Sequence, residues 1–326
     1  MTLQKYRKNL PQFKGHHLLT DGGLETTLIF HDGIDLPLFA SFHALSTTDG
    51  RTALRRYYEK YARLARAQGT GFILDSATWR ASKDWGDRLG YSDEDLKKAN
   101  LDAVALLFDL RAEFEAKSPF VVSGNMGPRG DGYSPATLMT AEEAVDYHST
   151  QVSTLDEAGV DMISAITMTH TGEAIGIARA CARRQVPLAL AFTVETDGHL
   201  PTGQPLKEAI AEVDAGNAPA YYMINCAHPD HFRSVLEAGE DWTSRIWGLR
   251  ANASRMSHAE LDEAEELDDG DPQELGRDYA SLLDTLPNLR VFGGCCGTDH
   301  RHVEAIGFHC VATRIGGLEK PGRSSL

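Results

Sequence analysis

Eight times along the chain a short apolar run is followed by a longer stretch with helical spacing, and this alternation limits the fold more than any other feature. The runs occupy 17–21, 71–75, 119–124, 161–166, 187–194, 220–226, 245–251 and 289–295. Each is almost continuously apolar, as strands covered on both faces should be. Helical spacing follows at 52–68, from Ser92 onward, and at 141–158, 172–185, 205–215 and 229–238, then after the acidic segment that ends at 271, with a closing helix from Asp299. Strict alternation predicts a parallel sheet, and eight units suit a single (β/α)8 TIM barrel. An open doubly wound sheet is the other arrangement compatible with the pattern. No Pro- or Ser-rich linker interrupts the chain, so residues 1–326 are read as one domain. Two segments depart from the rhythm. Residues 22–50 read as a long loop after the first strand. The acidic run 260–271 reads as a solvated helix and loop, with a lid as the alternative.

Composition excludes several partners. Lys and Arg number 32 against 47 Asp and Glu, a net charge of −15, and no basic stripe is present, which argues against nucleic acid. No apolar run approaches the roughly 18 residues of a membrane span. The first residues lack the apolar core of a signal peptide, so the expected location is cytoplasmic. Five cysteines, an odd number, read as reduced thiols rather than a disulfide framework.

Working residues in such a barrel sit at the C-terminal ends of strands. Cys226 ends the sixth run, and Cys295 and Cys296 end the eighth inside Gly293-Gly294-Cys295-Cys296-Gly297. These strands share parity and are separated by one neighbour, so three thiols can converge at the barrel mouth. Three thiolates suit zinc. Adjacent cysteines on a regular strand face opposite ways, so both can bind one ion only if the strand breaks, which the flanking glycines permit. Cys181 and Cys310 lie in helical stretches and read as core thiols. A zinc hydrolase would normally use His and carboxylate ligands. A non-catalytic zinc protein would close the site with a fourth protein ligand such as His228 or His300.

Asp21-Gly22-Gly23, Asn225-Cys226, Asn252 and the double-cysteine motif together resemble the zinc-dependent homocysteine S-methyltransferases, over roughly residues 18–306. The resemblance implies the same barrel. It implies zinc held by Cys226, Cys295 and Cys296, with the thiol of homocysteine as the fourth ligand. Its partners would be a small-molecule thiol and a methyl donor; a homo-oligomer is left open. The chain shows no appended cobalamin- or folate-binding domain and no long C-terminal extension of the betaine-using kind. By analogy, a sulfonium donor (S-methylmethionine or S-adenosylmethionine) is expected, with methionine as product. Such a donor leaves as a neutral sulfide, so no general acid is needed.

One position departs from the family pattern. Relatives carry a carboxylate at the end of the fourth strand that grips the amino group of homocysteine, and here Ile166 stands there. An apolar side chain leaves a buried ammonium unpaired, which costs free energy. Either another acid serves or the acceptor is a different thiol. Glu195 and Asp75 are the candidate substitutes. Asp21, Gly22, Asn225 and Asn252 complete the expected substrate contacts, and Asn125 is read as either pocket lining or a turn residue.

Overall fold

The computed structural model describes residues 4–133, 138–236, 240–264 and 266–312. Its eight parallel strands pair in chain order, and the first pairs with the last to close a barrel. The strands are β1 (Leu18–Leu19), β2 (Gly71–Asp75), β3 (Phe120–Met126), β4 (Met162–Met168), β5 (Leu188–Phe192), β6 (Tyr221–Asn225), β7 (Ile246–Ala251) and β8 (Val291–Gly294). All eight fall on or overlap the apolar runs, and the open doubly wound sheet is thereby excluded.

Alternation along each strand sorts the side chains into two cores. Phe72, Leu74, Val122, Leu190 and Phe292 point outward and pack against the helices. Ile73, Val121, Met162, Ala189, Tyr221, Met223 and Val291 point inward and fill the barrel. Further along the same inner face the residues turn polar. Asp75, Asn125, Asn225 and Arg250 stand two or four positions beyond apolar neighbours, so the barrel changes from a packed floor to a polar mouth.

Local chemistry places the helix starts. Ser92 accepts from the Asp95 N–H ahead of the helix Asp93–Phe114, and Thr140 forms a reciprocal capping box with Glu143 ahead of Ala141–Ala158. Asp299 caps His300–Gly307. At the quiet end of the barrel, Asp161 accepts from Arg111 (2.8 Å) and from the Tyr6 and Val122 N–H groups, tying the N-terminal segment to β3 and the helix Asp93–Phe114.

The segment 22–50 is not an open loop. Short helical turns at Leu24–Thr26, Thr27–His31, Pro37–Phe39 and Ser41–Ser46 fold it down, with Leu28, Ala40, Phe42 and Leu45 buried. The acidic run begins within the helix His258–Glu263, which is capped by Ser257 and carries Asp262 at the cavity rim. The described residues that follow are exposed or half-buried. Among the described residues, no helix is long and apolar enough to cross a membrane.

Candidate metal and acceptor site

Cys226, Cys295 and Cys296 meet at the mouth, their sulfurs all within 4.8 Å of one another. Cys226 follows β6 and takes a left-handed conformation (φ +56°). The kink that aims its thiol inward is therefore in the cysteine itself. Of the flanking glycines, Gly297 supplies the expected break, with a left-handed backbone (φ +76°), while Gly293 and Gly294 make room for neighbouring chain. Gly293 lets β8 approach the end of β1, since a Cβ there would stand 1.8 Å from Thr20 Oγ1, and Gly294 makes room for Thr298, whose Oγ1 would lie 2.0 Å from a Cβ. Gly23 does the same for the cysteines, since its missing Cβ leaves room for the Cys295 carbonyl. The strand ends at Gly294, so Cys295 and Cys296 lie beyond the pleat and both can face the cluster.

Crowding makes the three thiols unequal. Hydrogen bonds from Cys226 and Cys296, helped by the Arg250 charge, hold Cys295 well below the ordinary thiol range. Its hydrogen bonds to Cys295 and Cys296, with burial, push Cys226 well up. Cys296 also goes up, because the hydrogen bond from Cys226 is outweighed by donation to Cys295 and by burial. At such separations the three thiols do not ionise independently. A divalent ion would allow all three to ionise, and the donor set of three soft sulfurs fits zinc.

The surrounding residues fix the sulfurs. Asn225 accepts from the Thr167 N–H (2.7 Å), donates to Thr167 Oγ1 (2.8 Å) and lies 3.8 Å from Cys295 Sγ through the same Nδ2. It so locks the left-handed Thr167 after Ile166 to the cysteine cluster. Tyr133 Oη sits 3.0 Å from Cys226 Sγ and 3.3 Å from Cys296 Sγ. Burial and the neighbouring sulfurs raise its phenol well above the usual range, so it stays protonated. His258 stacks on Tyr133 at 4.2 Å, bonds the Cys226 carbonyl through Nε2 (2.7 Å) and bonds Glu195 through Nδ1 (3.0 Å). Nothing in the sequence marks Tyr133 or His258: neither ends a strand, and only the folding of a loop and of the start of the helix His258–Glu263 brings them to the sulfurs.

A cavity of about 210 Å³ opens beside the cluster, lined by all three cysteines and by Asp21, Gly22, Asp75, Asn125, Ile166 and Arg250, among others. Arg250 is buried between two acids, with Nη2 2.6 Å from Asp21 and Nη1 2.6 Å from Asp75. Asp21 also accepts from Tyr57. Burial, and the Asp75 charge, raise the Asp21 carboxyl to about 7 despite Arg250. Glu25 lies on the wall, held by Ser41, with its carboxyl raised by burial. Arg80, clamped over the Trp85 ring at 4.0 Å, is the second cation on the wall.

Of the residues expected to touch substrate, the structure brings Asp21, Gly22 and Asp75 to the cavity and puts Asn225 beneath it. Glu195 and Asn252 do not line it. Glu195 lies behind His258, and Asn252 donates its N–H to Ala227 behind the sulfurs. His228 sits in a separate group with Asp230 and Asp278, and neither His228 nor His300 reaches the cavity.

The family model for homocysteine S-methyltransferase matches residues 18–309. The chain belongs to the homocysteine S-methyltransferase family. Its activity is accordingly that of a thiol S-methyltransferase. A selenocysteine Se-methyltransferase from Brassica oleracea var. italica is 25% identical over 94% of this chain and 92% of its own length. The homocysteine methyltransferase MmuM from Escherichia coli shares the fold. Its oxidized form superposes with a TM-score of 0.72 at 20% identity, covering 92% of this chain and 97% of that one. Its metallated form superposes at 0.70 and 18% identity, covering 91% and 98%.

Proposed function

We propose that this protein is a zinc-dependent methyltransferase that moves a methyl group from a sulfonium donor to homocysteine, giving methionine. The observation that carries the reading is the convergence of Cys226, Cys295 and Cys296 beside a cavity large enough for a small amino acid. The metallated form of MmuM supports a metal at such a site.

Zinc held by the three sulfurs would supply the positive charge that keeps an acceptor thiol ionised at neutral pH, where a free thiol of pKa about 8.5 is only a few per cent thiolate. The chain's own residues do the rest. Asn225 and Thr167 hold the Cys295 side of the cluster, and the Tyr133–His258–Glu195 stack holds the Cys226 side. The acceptor sulfur forms a bond to the methyl carbon as the donor's carbon–sulfur bond breaks, and the donor departs as a neutral thioether. No proton has to reach the leaving group, which agrees with a cavity wall that carries no histidine among the described residues. Alignment of sulfur, methyl and leaving group is then the main task of the walls.

Charge on those walls supports a cationic donor. Five acids line the cavity (Asp21, Glu25, Asp75, Asp131 and Asp262) against two arginines, Arg80 and Arg250. Zinc-loaded protein incubated with homocysteine and either S-methylmethionine or S-adenosylmethionine should yield methionine by mass spectrometry. Absence of methionine with both donors would remove this reading.

A further inference from the structure

The geometry points to Asp75 and Asn125 as the pair that receives the α-ammonium group of the acceptor, in place of the acid that Ile166 removes from β4. The inference rests on the methyl-transfer reading for the identity of the acceptor, but its physical basis is independent of the reaction.

Two buried oxygens in the same cavity lack partners among the described residues. Asp75 Oδ1 has no hydrogen-bond donor, because Arg250 engages only Oδ2. Asn125 Oδ1 has none either. Asp75 is 3% exposed and Asn125 is 9% exposed, and both line the cavity wall. Buried acceptors are normally paired, and two orphans on residues that line one cavity call for a group with several donors. An ammonium offers three. Register explains why they meet: β2 and β3 are neighbours, Asp75 pairs with Ser123, and Asn125 lies two residues further on the same inward face. On the next strand Asn125 pairs with Ser164, two residues before Ile166. The orphaned oxygens therefore stand beside the position where the family's acid is missing.

The charge count agrees. Asp21 and Asp75 share one guanidinium, so once Asp21 ionises, above about pH 7, this buried group carries one negative charge more than Arg250 neutralises. The other acid put forward for the task, Glu195, is occupied by His258 outside the cavity. A bound ammonium would complete the charge balance and give Asp75 Oδ1 and Asn125 Oδ1 their donors. Asp21, satisfied by Arg250 and Tyr57, acts through Arg250 as a positioning residue.

Both the acceptor and a sulfonium donor carry an α-ammonium, so the test has separate arms. Homocysteine, its analogue without the amino group (4-mercaptobutyrate) and S-methylmethionine are each titrated into zinc-loaded wild type, Asp75→Asn and Asn125→Leu by calorimetry. Zinc content and melting temperature check that each variant is folded. Homocysteine should bind wild type about 10- to 100-fold more tightly than 4-mercaptobutyrate. Each variant should lose most of that preference while binding the analogue as wild type does. Equal binding of the two thiols to wild type, an equal loss for both thiols in the variants, or a loss confined to S-methylmethionine would each overturn the assignment. Because the readout is binding, a failure to form methionine would count against the proposed reaction and leave this result standing. Asn125→Leu keeps the Arg250 ion pairs intact and decides the matter if Asp75→Asn does not fold.

Discussion

Cys226 Sγ lies 3.5 Å from Cys296 Sγ although 70 residues separate them in the chain. That contact joins the end of β6 to the end of β8 across the barrel mouth. It brings together sulfurs that cannot all be anionic without a cation between them.

Replacing Cys295 by serine removes one of the three clustered sulfurs, the one nearest Asn225 Nδ2. Stoichiometric zinc and methyl transfer should both be lost, with the circular dichroism spectrum unchanged. Metal analysis of the purified variant checks this, and retained zinc with full activity would refute the assignment.

Asn225→Ala should weaken metal binding by about 10- to 100-fold, the range for residues that orient ligands without binding the ion. Its side chain is the link between Thr167 and Cys295. Competition with a chelator measures the affinity, and an unchanged value would show that the backbone alone holds the cluster.

Asp21 makes the buried ion group sensitive to pH. Its carboxyl rises from the usual 3.8 to about 7 on folding. Between those values the folded protein holds a proton that the unfolded chain has released, so this group's contribution lowers stability as pH rises through the window, by up to about 1.4 kcal/mol for each pH unit. Asp21→Asn removes that slope. The melting temperature of the variant relative to wild type should therefore increase by several degrees from pH 4 to pH 8. A constant difference across that range would contradict it.

Glu195→Gln should change acceptor and donor binding alike, by less than about fivefold, since a partly exposed ion pair contributes about 1 kcal/mol or less. The side chain meets His258 rather than the cavity. A selective loss of acceptor binding, seen by comparing KM for the two substrates, would return Glu195 to the site.

Asp161→Ala leaves Arg111 buried without its partner at the opposite end of the barrel. Unfolding in urea should show a loss of about 3–5 kcal/mol, the cost of breaking a buried pair, with kcat unchanged at a temperature where the variant is folded.

Much of the architecture is legible in the order of residues. Gly71–Asp75 and Ala141–Ala158 coincide with the apolar run and helical stretch at the same positions, because apolar periodicity and capping residues act within a few residues of chain. The segment 22–50 is less legible. Its short turns have no sustained period, and their burial depends on surfaces supplied by the helix Thr48–Gln68 and by Ala81, Leu96 and Ala99.

The candidate site divides along the same line. Residue order pointed to the barrel and put three cysteines at strand ends, since strand parity carries that information, whereas the reading of Ile166 came only from the resemblance to a family pattern. Packing in three dimensions chose which acids reach the cavity. Asp75 is drawn inward against Arg250 from a strand 175 residues away, whereas Glu195, equally close to a strand end, is taken by His258. Tyr133 reaches the sulfurs from a loop of no regular period. A side chain's charge and size are properties of its position in sequence. Its partner is set by spatial proximity, where burial makes every unpaired charge costly enough to choose between neighbours.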